Sequence, residues 1–322
     1  MMKAILYEEY GSPEVLHLQE VEKPCPNEGD VLVKIHSASV NAADWHTLRG
    51  TPFLFRVMNG LTRPREKAKI LGDDMSGWVE DVGENVKQFQ PGDEVFGISN
   101  FGAFAEFRCV PENNLAHKPR NLSFEEATTL PIAGITALQG LRDNGQIQTG
   151  KKVLINGASG GVGTFAVQIA KSFGTEVTGV CSTGKLEMVR SIGADHVVDY
   201  KKENLFKNGH QYDLIFAVGG NHSILEYRRA LSPGGCFVCV GGSMTQYIQA
   251  LLLGPLISIT GSRKMGVAMP ILTQEDLVYL TTLWESGKLK PVIDKSYSLS
   301  EVPEAIRYVE EGYVKGKVVI TV

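Results

Sequence analysis

The 322-residue chain is short of several things, and each shortage excludes a class of protein. Its five cysteines, Cys25, Cys109, Cys181, Cys236 and Cys239, are odd in number and scattered. That excludes the disulfide framework of a small secreted domain. Cys236 and Cys239 have metal-site spacing, but residues three apart on a strand face opposite ways, so they read as buried strand cysteines. No apolar run is long enough for a bilayer. The longest, residues 247–260, is interrupted by Gly254-Pro255 and reads as a helix end, a turn and a buried strand. The opening "MMKAILYEEYG" has no apolar core of signal-peptide length, so a cytoplasmic location is the default expectation. Charge is nearly balanced at −4, which argues against nucleic acid or an acidic membrane surface as the main partner. Internal repeats and low-complexity tracts are missing as well.

What is present describes a globular protein with a real core: 43% hydrophobic and 21% charged residues, with length enough for two domains. The 35 glycines suit many tight strand-to-helix turns. Residues 4–7, 31–37, 77–82, 94–97 and 105–110 read as short strands separated by Gly, Pro and Asp, including the turn Pro91-Gly92-Asp93. The middle changes character. Residues 153–156, 177–180, 196–199, 214–217 and 236–240 are β-branched runs with helical patterns between them, and 257–260 would add a sixth strand. This alternation predicts βαβ units in a doubly wound parallel sheet, an α/β fold. Two helices follow, the first capped by Thr273 and the second by Ser300, and "KGKVVITV" closes as a strand. The tail rejoins the first domain. The expected division is 1–120 with 265–322, and 121–264.

"VLINGASGGVGTFAVQIAK" is a strand, a glycine turn and a helix. Ala158, Gly160 and Gly163 take the places of a GxGxxG fingerprint. Gly160 lets the backbone approach a pyrophosphate, and Gly163 lets the helix pack on the strand. The helix N-terminus supplies N–H groups and a positive dipole end. The alternative is a glycine turn in an unliganded α/β domain.

One more absence is informative. About 20 residues beyond such a loop an acidic residue usually binds the adenosine ribose. Here that place reads Cys181-Ser182-Thr183-Gly184-Lys185. Ser182, Thr183 and Lys185 can donate to a 2′-phosphate instead. Hydrogen bonds to a charged group contribute roughly 1.5–3 kcal/mol each, so two would favour NADPH over NADH about a hundredfold. The alternative is that Lys185 is a solvated lysine at a helix start. Tyr200 either packs beside the adenine or lies on the surface.

"GSPEVLHLQEVEKPCPNEGDVLVKI", "VNAADWHTLRG", "ILGDDMSGWVEDVGENVKQFQPGDEVFG", "ATTLPIAGITALQGL", "NGASGGVG" and "GKVVITV" occur in that order. With them the chain resembles the medium-chain dehydrogenase/reductase superfamily over nearly its whole length. The resemblance implies a GroES-like, β-rich catalytic domain, a Rossmann domain and a cleft between them. Many such relatives hold a catalytic zinc through Cys, His and Cys. Those places fall here at Asn41, at Asp73-Asp74, and near Ile132 or Ala133, a set without the thiolates and imidazoles that zinc needs. The four-cysteine structural lobe is absent too, since only Cys109 lies between Phe89 and Val110. His36 and His46 read as polar strand or cleft residues rather than ligands. The chain is therefore read as zinc-free, with no Lewis acid to activate an alcohol. It looks closest to the zinc-free quinone oxidoreductase branch, which uses NADPH to reduce quinones or the activated C=C bonds of enones and alkenals.

The resemblance also assigns roles. Asn41 and Thr136 would lie near the nicotinamide, and Ser159, Gly160, Gly161 and Val162 under the pyrophosphate. Val218 and Gly219 would meet the cofactor at the end of the fourth strand, and Val240, Gly241 and Gly242 at the end of the fifth. Cys181 to Lys185 and Tyr200 would hold the adenosine end. Lys317 would reach the cofactor or be a surface strand lysine. Hydride addition to an enone also needs a proton. Asn41, Asp44 and His46 are the candidates at the chemistry, with Asp44 better suited to capping or bracing its turn and water or a ribose hydroxyl able to supply the proton. Residues 51–70 read as a lid or as a surface helix. Strand 257–260 could pair with its twin in a homodimer. Two other readings compete: a non-catalytic NADPH-binding sensor or interaction protein, and a zinc alcohol dehydrogenase.

Overall fold

The computed structural model describes residues 1–206 and 209–322. The chain forms two units, one of Met1–Ile132, Leu272–Thr281 and Ile293–Val322, the other of Ala133–Ile271 and Thr282–Val292.

In the first unit, β1 (Met2–Leu6) pairs antiparallel with β2 (His17–Val21). β3 (Asp30–Val40), β4 (Asp74–Val82), β5 (Glu94–Ile98), β6 (Phe107–Pro111) and β7 (Leu115–His117) follow. β3 organises the sheet. Its residues Val31, Val33 and Ile35 alternate inward onto a core that includes Ile5, Leu48, Met75 and Phe104. β4 runs antiparallel along one side of β3. Gly77 lies where the two strands approach most closely, and a Cβ there would collide with the Lys34 carbonyl oxygen. β6 covers the first half of the other side of β3. The helix Phe124–Ala127 packs on β3 and β4, which holds the chain in this unit beyond residue 120.

The second unit contains β8 (Lys152–Asn156), β9 (Glu176–Cys181), β10 (His196–Asp199), β11 (Tyr212–Ala217), β12 (Leu231–Cys239) and β13 (Lys264–Val267). All are parallel, in the order β10-β9-β8-β11-β12-β13. This is the order of a doubly wound dinucleotide fold. Runs such as Val153-Leu154-Ile155 and Leu214 to Ala217 are buried without alternation, as strands covered on both faces must be.

One expectation fails here. Residues 257–260 are not a strand; they end the helix Met244–Thr260, with Pro255 inside it, and the sixth strand is β13. An unbroken apolar run carries no period, so strand and helix look alike in it. Ser243 decides the outcome: its Oγ accepts from Gln246 N at 3.2 Å and caps the helix. This helix leaves Leu252, Leu256 and Ile259 more than half exposed. Among the described residues no helix is long and apolar enough to cross a membrane.

The chain returns to the first unit through β14 (Ile293–Ser298) and β15 (Lys317–Thr321). β15 fills the second half of the open side of β3, antiparallel, with Val318 opposite Val40. In the 51–70 segment, Phe55 stacks on His46 with ring centroids 5.4 Å apart, while Phe53, Leu54 and Met58 are exposed.

Candidate cofactor and active site

At the C-terminal end of β8 the chain turns through Gly157, whose φ of +91° favours glycine. Gly160 caps the helix Gly161–Ser172 in extended conformation. A Cβ on Gly163 would collide with the Gly157 carbonyl oxygen, so this glycine lets helix and loop pack together. A Cβ on Gly160 would meet nothing nearer than 3.8 Å, which leaves its surface open. The first N–H groups of the helix lack intrahelical partners by construction and favour an anion. Beside this loop, Val218 N and Gly219 N donate to Asn156 O at 2.9 and 3.0 Å. Val240 N and Gly241 N donate to Ala217 O at 2.9 and 3.3 Å. The sheet thus gathers Ser159, Gly160, Gly161, Val162, Val218, Gly219, Val240, Gly241 and Gly242 at one end. Ser159 and Thr136 are both buried. The glycine cradle fits the pyrophosphate of a dinucleotide.

At the adenosine end, Cys181 is the buried last residue of β9. Burial pushes its thiol up, the Asp199 carboxylate adds to that, and Lys185 and Arg190 oppose it. An acid from the end of β10 and two cations therefore act on this place. Arg190 was not picked out from the sequence. Thr183 lies beside the Asp199 carboxyl. Its Oγ1 donates to Asp199 Oδ2 at 2.6 Å, so its proton is engaged by an acid at the end of β10. That bond, with Lys201 N donating at 3.0 Å, holds the Asp199 carboxyl below the usual range. Tyr200 N donates to Cys181 O at 3.3 Å, and its side chain is 57% exposed.

The first unit holds a second constellation. The register sets Ser39 opposite Asp74, and Val40 opposite Val318. Asn41, Asp74 and Lys317 consequently share one end of the sheet. Lys317 Nζ donates to Asn41 Oδ1 at 2.6 Å and to Asp74 Oδ2 at 3.0 Å. Asp74 Oδ2 also accepts from Ser39 Oγ at 2.7 Å and Asn41 Nδ2 at 2.8 Å, and Oδ1 accepts from Ile132 N at 2.8 Å. Asp74 is 0% and Lys317 2% exposed, so Lys317 is not a surface lysine. A buried ion pair survives only when its remaining lone pairs and protons are satisfied, and here the carboxylate has four donors. Asp74 and Ser39 were missed as site residues. The available signal was an acid opening an apolar strand, which demands a buried partner.

Asp44 is buried in the first turn of the helix Ala42–Arg49. Its Oδ2 accepts from Asn41 N at 2.7 Å and its Oδ1 from Gly72 N at 3.0 Å. Burial and neighbouring Asp73 raise its pKa, against the pull of those two N–H groups. His46 is half-buried, with its ring stacked 3.5 Å from Trp45 and Nδ1 2.8 Å from Thr51 O. Burial lowers its pKa. Because a carbonyl only accepts, Nδ1 carries the proton and Nε2 the lone pair in the neutral ring. His36 lies on β3 and stacks on Phe124.

The places where zinc ligands fall in relatives do not suit a metal. Asn41 and Asp74 are bonded to each other and to an ammonium, and Ile132 offers only a backbone N–H. Among the described residues no group of three or more His, Cys, Asp or Glu side chains is placed to hold a metal ion.

Residues 27–120 match the alcohol dehydrogenase GroES-like domain family, and 192–320 match the family described as zinc-binding dehydrogenase. A chloroplastic quinone oxidoreductase of Triphysaria versicolor is 33% identical over 99% of this chain and 98% of its own. A chloroplastic NADPH-dependent alkenal/one oxidoreductase of Arabidopsis thaliana is 32% identical over 99% of this chain and 79% of its own. The structure of a Coxiella burnetii quinone oxidoreductase superposes with a TM-score of 0.88 at 32% identity, covering 100% of this chain and 99% of that one.

Proposed function

The chain belongs to the medium-chain dehydrogenase/reductase superfamily, in its quinone oxidoreductase branch, and from that footing we propose that it is an NADPH-dependent reductase of quinones or α,β-unsaturated carbonyls. The observation that carries the proposal is the glycine cradle at the end of the doubly wound sheet, with Ser182 and Lys185 following β9 where the sequence has no ribose-binding acid.

When bound, the nicotinamide supplies the hydride. The protein's residues bind and orient. Ser159, Gly160, Gly161 and Val162 hold the pyrophosphate at a helix N-terminus. Ser182 and Lys185 form the adenosine 2′-phosphate site, with Cys181 buried behind it, Tyr200 beside the adenine and Thr183 tied back to Asp199. Thr136, Val218, Gly219, Val240, Gly241 and Gly242 orient the nicotinamide half. Asn41 is fixed at both ends of its amide by Lys317 and Asp74, which leaves one N–H with which to orient a carboxamide or an acceptor carbonyl. Lys317 supplies the positive charge of this constellation, and the protein works without zinc. Asp44 has both oxygens on backbone N–H groups and braces the Asn41 turn. A neutral His46 accepts at Nε2, so the proton that completes reduction comes from water or a ribose hydroxyl rather than from this ring.

The apolar face carrying Leu252, Leu256 and Ile259 supports a homodimer, since patches of this kind mark interfaces. The proposed location is cytoplasmic.

The test is titration with NADPH and NADH, with and without a simple quinone and an enal, following nicotinamide absorbance. NADPH oxidation dependent on acceptor is the expected result. Tight binding with no turnover across a panel would replace the reductase by a non-catalytic NADPH-binding protein.

A further inference from the structure

β8 and β11 are neighbours in the sheet, but their connections run to opposite faces, so a crevice opens outside their C-terminal ends. Across this point lies a buried chain of hydrogen bonds that the functional reading has not used. Tyr227, fully buried on the helix Ile224–Ala230, accepts from Asn156 Nδ2 at 2.7 Å and donates to Gln246 Oε1 at 3.0 Å. Gln246, 1% exposed in the first turn of the helix Met244–Thr260, donates from Nε2 to Gly241 O at 2.9 Å. Its Oε1 also accepts from His222 N at 3.3 Å. Asn156 O in turn accepts from Val218 N and Gly219 N, and Gly220 O accepts from Ser243 N at 2.9 Å. The turns are threaded tightly around these side chains. A Cβ on Gly220 would lie 2.6 Å from Asn156 Nδ2, and one on Gly242 2.5 Å from Gln246 Nε2. Two side chains from two helices thus join the turns that follow β8, β11 and β12.

We propose that Tyr227 and Gln246 are positioning residues: a buried brace across the switch point that sets the spacing of the three turns on which the dinucleotide lies, without either residue touching it. The inference rests on the NADPH reading above. Without the brace the turns are free to separate, and binding must draw them together again. Affinity for NADPH therefore falls more than turnover once the site is filled.

The experiment measures NADPH Kd by fluorescence, together with KM and kcat, for Tyr227→Phe, Gln246→Met and the double variant. Thermal unfolding is followed in parallel. Val110→Ala, a core truncation on β6 of the other unit, shows what loss of stability alone does. Each single variant is expected to raise Kd and KM about tenfold, the equivalent of one buried hydrogen bond, with kcat within about twofold. The double variant should be no more than about threefold worse than either single one, because one brace is lost only once. Val110→Ala should leave Kd within about twofold. Single variants that bind NADPH like the wild type would overturn the brace alone. So would effects that multiply in the double variant. Failure of the wild type to bind NADPH would overturn the cofactor reading and the brace with it.

Discussion

Replacing Lys317 by methionine keeps most of the volume and removes the ammonium. Asp74 then loses the contact at 3.0 Å and Asn41 the one at 2.6 Å, in a site where Asp74 has no exposed surface. Breaking a buried pair by removing one partner costs about 3–5 kcal/mol, because the surviving charge is left uncompensated. Ser39, Asn41 and Ile132 N still donate to the carboxylate, which places the loss at the lower end, about 3 kcal/mol. At about 2–4 °C per kcal/mol for a chain unit of this size, Tm should fall by roughly 10 °C. Differential scanning calorimetry at neutral pH reads it. Adding Asp74→Asn should restore at least half of the loss, since the unpaired charge is then gone. A drop below about 1 kcal/mol, the range of exposed pairs, would refute the reasoning, as would a double variant less stable than Lys317→Met.

Three further outcomes follow from the site. Lys185→Ala should lower the NADPH-to-NADH preference about tenfold or more, with little change in NADH affinity; an unchanged ratio in paired titrations would remove Lys185 from the phosphate site. The Asp44 carboxyl, pushed up to about 8 by burial and Asp73, keeps a proton that the unfolded chain releases near its ordinary value of 3.8. Stability should therefore decline as pH rises through that window, and Asp44→Asn should flatten the decline between pH 5 and 8; parallel slopes of Tm against pH would contradict this. Leu256→Glu together with Ile259→Glu should convert a dimer to monomers by sedimentation, and a dimer that survives both would move the interface elsewhere.

The nucleotide half was legible because its signals are local. The glycine spacing from Ala158 to Gly163 and the β-branched runs each lie within a few residues. The missing acid after Cys181 could be read in the same way. The Asp74–Lys317 pair was not legible, because its partners are 243 residues apart and meet only through the register of β3 with β4 and β15. The contact of Thr183 with Asp199 was not legible either, because the pairing of β9 with β10 brings the two together. The helix Met244–Thr260 was misread for a different reason. Its apolar face is exposed, so the polar residues that usually reveal a helical period are absent.

The sharing of β3 between β6 and β15 has a consequence for how the protein is made. During synthesis β3, β4 and β6 leave the ribosome early, but the second half of β3 has no partner on that side until residue 317 and its followers arrive. Until then Asp74 has no ammonium, and the edge of β3 lies open to pairing with another chain. The second unit, by contrast, has all six of its strands once Val267 has been made. Domains fold as units as they emerge, so the sheet of the nucleotide-binding half is complete while the sheet of the other half is still waiting. The nascent chain is then open at β3, whose unpaired edge must wait for β15.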